Sequence, residues 1–182
     1  IEVPLHEPFR ISSGEVSIKE TILVELAAEG EVGWGEASPM PGAFYSPETP
    51  KSTWEFLRQH LIPDFLKHPE MEPCRISGRL EEIEGEPFAK AGLEGAVWDL
   101  YAKEKRKPLW EVLGGHKRPI ESGAAIGLMP TLSDLLERVQ RFLGDGYKRI
   151  KIKIEPGRDV ELVRGIRQKF GGIPLMVDAN AS

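Results

Sequence analysis

Two lysines near the end of the chain have the spacing of a paired catalytic base. Residues 149–154 alternate strictly between cations and isoleucines, which is the period of a β-strand, so Lys151 and Lys153 share one face. If the isoleucines pack against helices, both lysines point into a common interior. Crowding lowers the proton affinity of a lysine and suits it to act as a base near neutral pH. A half-exposed strand with two solvated lysines is the alternative.

An acid and an amide follow on the next predicted strand, residues 175–180. Asp178 and Asn180 share a face there with Met176. Their oxygens are of the kind that Mg²⁺ binds, although a single aspartate cannot hold the ion. The alternative is local, because Asp-x-Asn often caps a helix or forms a turn. The combination of the two stretches, with opposite charges on adjacent strands, favours the functional interpretation.

An amphipathic helix between these stretches should bring them to the same edge of one sheet, and a further helix precedes them. Thr131 is the predicted N-cap of one helix and Asp159 of a second, and residues 120–128 form a further short apolar strand. The strand centres are Ala125, Ile152 and Val177. Strands joined by helices run parallel, and the C-terminal ends of such strands are where barrel enzymes keep their catalytic residues.

The first part of the chain has the pattern of antiparallel strands followed by helices. Strands predicted at residues 1–5, 21–28 and 32–36 form a meander. Residues 10–15 are polar and contain glycine, so we expect a mobile loop there. Helices are predicted at residues 54–65, 87–105 and 109–113, and a connector at residues 68–75.

A Pro-rich loop at residues 38–47 carries apolar side chains that an exposed loop rarely has. They are Met40, Phe44 and Tyr45. Either they fold back on their own domain or another group packs on them.

We therefore predict an α+β domain over residues 1–115, then the first three strands and two helices of a parallel barrel over residues 116–182. Three parallel strands with exposed edges would make a poor domain alone. The sequence begins without Met in a predicted strand and stops soon after another strand. We therefore expect it to be truncated, a part of a longer chain.

Composition argues against several classes of function. The net charge of −5 gives no basic field for nucleic acid. No apolar run has membrane-spanning length, and no signal peptide opens the sequence. Cys74 is the single cysteine, which excludes a disulfide framework and fits a reducing cytoplasm. One asparagine and three glutamines among many charged residues favour a heat-adapted source.

Six segments carry a family resemblance that covers the whole chain. They are Gly33–Ala37, Gly92–Leu100, Lys107–Leu109, Leu113–Gly115, Lys151–Lys153 and Val177–Asn180. Together they resemble the enolase superfamily, in its muconate-lactonising-enzyme-like branch and there in the o-succinylbenzoate synthase / N-acylamino acid racemase family. The resemblance implies an N-terminal capping domain, an antiparallel meander plus helices, over a modified (β/α)₇β TIM-type barrel.

The resemblance also implies roles for the candidate residues. Lys153 would abstract the proton α to a substrate carboxylate, and Lys151 would tune it and stabilise charge on that carboxylate. Asp178 would be the first of three carboxylate ligands of Mg²⁺, with Mn²⁺ as an alternative, and Asn180 would help to position the site. The cap-loop residues that would close over substrate are Ser13, Met40, Phe44 and Tyr45.

The implied activity is the dehydration of 2-succinyl-6-hydroxy-2,4-cyclohexadiene-1-carboxylate to o-succinylbenzoate, a step of menaquinone synthesis, by a homo-oligomer that acts on a small carboxylate. The alternatives are N-acylamino acid racemisation and dipeptide epimerisation, although Ala125 stands where relatives that racemise often have serine. The family also needs two further metal-binding acids and a second catalytic lysine on later strands, which this sequence lacks. A catalytically incomplete fragment is therefore the hypothesis of another class.

Overall fold

The computed structural model describes residues 1–11, 14–42, 45–69 and 72–180. The chain divides into two compact units. The first comprises Ile1–Pro4 and Ile18–Lys117, and the second comprises Leu5–Ser17 and Arg118–Ser182. A short segment near the N-terminus thus belongs to the second unit.

Two hairpins open the chain. Strand β1 (Glu2–Ile11) pairs with β2 (Gly14–Glu20), and β3 (Ile22–Ala28) pairs antiparallel with β4 (Glu31–Ala37). The second hairpin turns at residues 29 and 30, which both adopt the left-handed backbone conformation that tight hairpin turns require.

The prediction of a mobile loop at residues 10–15 is wrong for the residues that the structure describes. Strand β1 continues through Arg10, and β2 begins at Gly14. Arg10 forms an ion pair with Glu15 across the hairpin. Ile11 and Val16 are buried, so apolar burial holds this otherwise polar stretch in regular structure. Residues 12 and 13 lie outside the described part of the chain.

Helices make up most of the remaining first unit. They are α1 (Pro50–Phe56), a π-helical turn (Leu57–Leu61), α2 (Ile62–Lys67), α3 (Pro73–Glu81), α4 (Pro87–Glu104) and α5 (Leu109–Val112). The first three pieces follow one another without a break. Pro63 does not end the helical run, which passes directly from the π-helical turn into α2 at Ile62.

The predicted connector at residues 68–75 is too long, because α3 already begins at Pro73. Ile76 and Leu80 lie one helical turn apart on α3, and both are buried. Two apolar residues among polar neighbours are too few to give a helical pattern in the sequence. The helix is stabilised mainly by the burial of these two side chains against the rest of the unit.

Helix α4 lies so close to β4 that the two backbones touch. A Cβ on Gly35 would lie 1.9 Å from the carbonyl oxygen of Gly92, and a Cβ on Gly33 would lie 2.2 Å from that of Ala96. Glycine is therefore required at positions 33 and 35, because a side chain there would overlap the backbone of α4. The same unit buries Val24, Leu57, Leu61, Phe65, Ile76, Leu80, Leu93 and Val97 in one core.

The second unit contains a parallel three-stranded sheet in the order β5 (Gly123–Ile126), β6 (Arg149–Lys153), β7 (Leu175–Asp178), connected by α6 (Leu132–Gly144) and α7 (Asp159–Phe170). This confirms the predicted parallel βαβ arrangement. One face of the sheet packs on the helices through Ala124, Ile126, Leu135, Val139, Ile150, Ile152, Leu162 and Ile166.

Two boundary predictions in this unit are wrong and one is confirmed. Strand β5 is shorter than residues 120–128, and Ile120 is 77% exposed. Thr131 caps α6 in a reciprocal pair with Asp134. Asp159 is not the cap of α7 but its first residue, where its charge still favours the positive end of the helix dipole.

Across the described ranges, no helix combines the length and apolar character that crossing a membrane requires.

Candidate active site

The register of the parallel sheet places the two lysines and the aspartate on one face. Lys153 is the register partner of Asp178 on the adjacent strand, and Lys151 precedes Lys153 by two residues. Ile150 and Ile152, which alternate with the lysines, are buried against the helices. The lysines therefore point away from the helical layer, as the alternation in the sequence predicts.

Asp178 is ion-paired with both lysines. Its Oδ2 lies 2.6 Å from Nζ of Lys151 and 2.9 Å from Nζ of Lys153. The side chain of Lys153 is only 10% exposed, whereas that of Lys151 is 38% exposed. The cluster thus has one enclosed ammonium group and one that solvent or a ligand can reach.

The two ammonium groups hold the pKa of Asp178 well below its usual range. The hydrogen bond from Lys151 is the largest cause, followed by that from Lys153 and by the backbone N–H of Asn180. Asp178 therefore remains a carboxylate at neutral and mildly acidic pH and can serve as a fixed negative charge between the lysines.

Asn180 joins the cluster through its backbone and its side chain. Its N–H donates to Oδ1 of Asp178 at 2.9 Å, and Nζ of Lys153 donates to its side-chain oxygen. Its φ of 51° is left-handed, a conformation that asparagine tolerates better than most residues. The turn expected as an alternative role for Asp-x-Asn is thus present, and the same turn fixes the positions of Asp178 and Lys153.

The donor atoms of this cluster fit Mg²⁺ in kind but not in number. Asp178 and Asn180 offer oxygen atoms, which Mg²⁺ prefers, but the ion requires near-octahedral coordination. Within residues 1–11, 14–42, 45–69 and 72–180, no group of three or more His, Cys, Asp or Glu side chains could hold a metal. These residues therefore do not form a complete magnesium site.

The candidate cap-loop residues are only partly described. Met40 is half-buried and Tyr45 is exposed, and both lie in the first unit, whereas the lysine cluster lies in the second. Ser13 and Phe44 lie outside the described residues. Their proposed contacts with substrate remain predictions.

A polar network that the sequence did not reveal holds the start of the Met40 loop. Nζ of Lys19 donates to the carbonyl oxygens of Ser38 at 3.0 Å and Pro39 at 3.3 Å. Oε1 of Glu36 accepts hydrogen bonds from the hydroxyls of Thr21 at 2.8 Å and Ser38 at 2.9 Å. These two hydrogen bonds, that of Thr21 first, lower the pKa of Glu36.

The end of the same loop is held by Glu48, a second residue that sequence reasoning missed. Glu48 is buried, and its carboxyl group accepts the backbone N–H of Phe88 at 3.0 Å in the first turn of α4. Burial raises the pKa of Glu48. Glu48 and Phe88 lie 40 positions apart, and a contact over this distance leaves no periodic pattern in the sequence. The burial of Glu48 beside the start of α4 is therefore seen only in the structure.

Comparison with known proteins places this arrangement in a family. Residues 1–114 match the family model for the N-terminal domain of mandelate racemase / muconate lactonizing enzyme. The chain is 44% identical over 183 aligned residues to o-succinylbenzoate synthase of Geobacillus kaustophilus, covering 100% of this chain and 49% of that protein. It is 37% identical over 183 aligned residues to N-succinylamino acid racemase of Amycolatopsis sp, covering 100% of this chain and 50% of that protein.

Solved structures show the same fold. A member of the enolase superfamily from Listeria innocua superposes with a TM-score of 0.92 at 35% identity, over 100% of this chain and 49% of that one. The chain thus spans about half the length of the relatives it matches. With the family match over residues 1–114 and a partial parallel sheet later in the sequence, the chain belongs to the mandelate racemase / muconate lactonizing enzyme family of the enolase superfamily.

Proposed function

We propose that this protein abstracts a proton α to a carboxylate, and that its reaction is the dehydration of 2-succinyl-6-hydroxy-2,4-cyclohexadiene-1-carboxylate to o-succinylbenzoate. The observation that carries the proposal is the enclosed ammonium group of Lys153 beside Asp178, at the carboxyl ends of adjacent parallel strands. The 44% identity to an o-succinylbenzoate synthase supports the choice of reaction. The whole protein's activity is a proposal, because the chain spans half the length of that relative.

In the proposed mechanism Lys153 acts first as a base and then as an acid. The ammonium group of Lys153 first gives up a proton to solvent; the resulting amine takes the α-proton, and the C–H electron pair moves into the carboxylate to form an enediolate. The pair then returns towards the ring and breaks the C–O bond at the neighbouring carbon. The departing hydroxyl takes the proton from the Lys153 ammonium and leaves as water, so the lysine is regenerated.

The neighbouring groups would stabilise charge around this step. Lys151, the more open lysine, would face the substrate carboxylate and stabilise the charge that develops on it. Asp178 would contribute one oxygen ligand to Mg²⁺, or to Mn²⁺, and a bound divalent cation would offset the charge of the enediolate. Asn180 would hold Asp178 and Lys153 in place through the hydrogen bonds of its turn.

The test is the Lys153→Ala variant of the full-length protein in a coupled absorbance assay of o-succinylbenzoate formation. Loss of a general base is expected to lower kcat by about 10²–10⁴-fold. Lys148→Ala, which removes an exposed lysine just before β6, is the matched control and should keep wild-type turnover. Unimpaired turnover by Lys153→Ala would end the proposal.

Racemisation of N-succinylamino acids is the second candidate, supported by the 37% identity to the Amycolatopsis racemase. Both reactions begin with removal of an α-proton, so Lys153 would act as the base in either of them. Deuterium exchange at the substrate α-carbon separates the two. Exchange without elimination favours racemisation, and elimination with product formation favours dehydration. Ala125 is the register partner of Lys151, and the family resemblance implies serine at this position in relatives that racemise.

A further inference from the structure

Strand β4 has an outer edge that no other strand occupies in the part of the chain that the structure describes. On its inner edge it pairs with β3 along its whole length. Backbone groups on an open edge can bind a further strand, so folded proteins usually protect such an edge with lysine, proline or a bulge. Residues 31–37 contain neither lysine nor proline, and each has its own partner on β3. The strand itself therefore provides none of these protections.

Two side chains of α4 occupy the outer edge instead. The backbone N–H of Trp34 donates to Oδ2 of Asp99 at 2.8 Å, and Nζ of Lys103 donates to the carbonyl oxygen of Val32 at 2.7 Å. Asp99 and Lys103 lie one helical turn apart, and their charged atoms are 2.7 Å from each other. The pair thus offers β4 one acceptor and one donor, which are the groups that a neighbouring strand would offer.

The ion pair covers the part of β4 that carries no charge of its own. Residues 32–35 are uncharged, and Glu31 and Glu36 flank them. Trp34 is 47% exposed, so a strand added here would also meet apolar surface. The two glutamates disfavour strand addition at the ends of the edge, and the ion pair from α4 blocks it in the middle.

The strand that fits this edge is β3 of a second copy of the chain. Its sequence already pairs antiparallel with β4, and in that register its single charge, Glu25, lies opposite Trp34 and not opposite either glutamate of β4. We propose that the Asp99–Lys103 pair is an autoinhibitory contact, which closes the outer edge of β4 against addition of β3 from a second copy. All of these residues lie within the first unit, and the proposal does not depend on the reaction.

The proposal is tested in the full-length protein by opening the edge. Asp99→Ala combined with Lys103→Met removes both contacts, and methionine keeps most of the aliphatic length of lysine. A synthetic peptide with the sequence of β3, residues 22–28, serves as the strand of the second copy. The readout is amide hydrogen exchange at Trp34, because Asp99 binds this N–H in the wild-type protein and the added strand would bind it in the variant.

The Trp34 amide should lose about tenfold or more of its protection in the double variant, and the β3 peptide should restore it. The wild-type amide should not respond to the peptide, since Asp99 already occupies it. A scrambled peptide of the same composition should leave both proteins unchanged. If the β3 peptide does not restore protection in the variant, or if the wild-type protein binds it equally well, the proposal is overturned.

Refolding from urea provides the second measurement, because β3 is unpaired in refolding chains. The yield of native double variant should fall about twofold or more between about 1 and 100 µM protein, while wild type refolds equally well at both. Lys107→Met with Glu111→Ala is the matched control, since it removes a lysine–carboxylate pair of the same spacing that involves α5 and not α4. If the double variant does not fold at either concentration, Lys103→Met alone decides, and a native yield independent of concentration would overturn the proposal.

Discussion

Replacing Gly35 by alanine should strongly destabilise the first unit. The new Cβ would lie 1.9 Å from the carbonyl oxygen of Gly92 and 2.6 Å from the nitrogen of Ala96 on α4. Ordinary contact begins at 3.4 Å, so strand and helix must separate by about 1.5 Å at this point. Both obstructing atoms belong to a regular helix, so no side-chain rotation can relieve the overlap.

The expected loss follows from the cost of overpacking. Extra methylene groups in a packed core typically cost about 1–3 kcal/mol. We place Gly35→Ala at the upper end, about 3 kcal/mol, because the overlap is with backbone on a buried seam. For a chain of this size each kcal/mol lowers Tm by about 2–4 °C, which gives a loss of roughly 6–12 °C.

The assay is urea unfolding followed by tryptophan fluorescence. All four tryptophans lie within residues 18–117, so the signal reports on the first unit. Gly78→Ala on α3 is the matched control: a Cβ there meets nothing within 4 Å, and alanine should stabilise the helix by about 0.5–1 kcal/mol. If the free energy of unfolding of Gly35→Ala differs from that of wild type by less than about 1 kcal/mol, a third of the expected loss, the backbone contact between β4 and α4 is not present in solution.

Three further outcomes are expected. Burial raises the pKa of Glu48, so its carboxyl group holds its proton in the folded protein at pH values above 4.5, where the unfolded chain loses it. The stability that this group contributes is therefore lost as pH rises through the folded pKa. Glu48→Gln should gain stability relative to wild type as pH rises above 4.5 in urea titrations, and an equal pH slope in the two proteins would refute this. Lys19→Met should speed chymotryptic cleavage at Tyr45, because the carbonyls of Ser38 and Pro39 lose their donor; cleavage at the wild-type rate speaks against the clamp. Calorimetric titration of the 182-residue chain should show Mg²⁺ binding no tighter than about 1 mM, and micromolar binding would contradict the incomplete ligand set around Asp178.

The face that carries Lys151 and Lys153 could be predicted because a two-residue period leaves only one choice once the isoleucines are buried. The approach of Asp178 to Lys153 could be predicted as well, because a helix between two strands forces them parallel and brings their carboxyl ends together. The N-cap of α6 could be predicted from Thr131 itself, whereas its reciprocal partner Asp134 was seen only in the structure.

The hydrogen bonds that hold the two ends of the Met40 loop could not be predicted, since they join residues far apart in the sequence. Glu48 accepts a hydrogen bond from Phe88 and Lys19 donates one to Ser38, and neither contact leaves a periodic pattern in the sequence. The extension of β1 was missed for a related reason, because its polar residues are held by the ion pair and burial that only the folded hairpin supplies.

The cluster at the carboxyl ends of β6 and β7 also has an electrostatic consequence beyond its chemistry. Two ammonium groups face one carboxylate there, so the cluster carries excess positive charge within a chain of net charge −5. The net charge of the chain therefore disfavours the approach of a small dianion, whereas the cluster should attract one over a range of about 10 Å at 0.1 M salt. Capture of such an anion should slow as ionic strength rises, while encounter with an uncharged molecule of the same size should not.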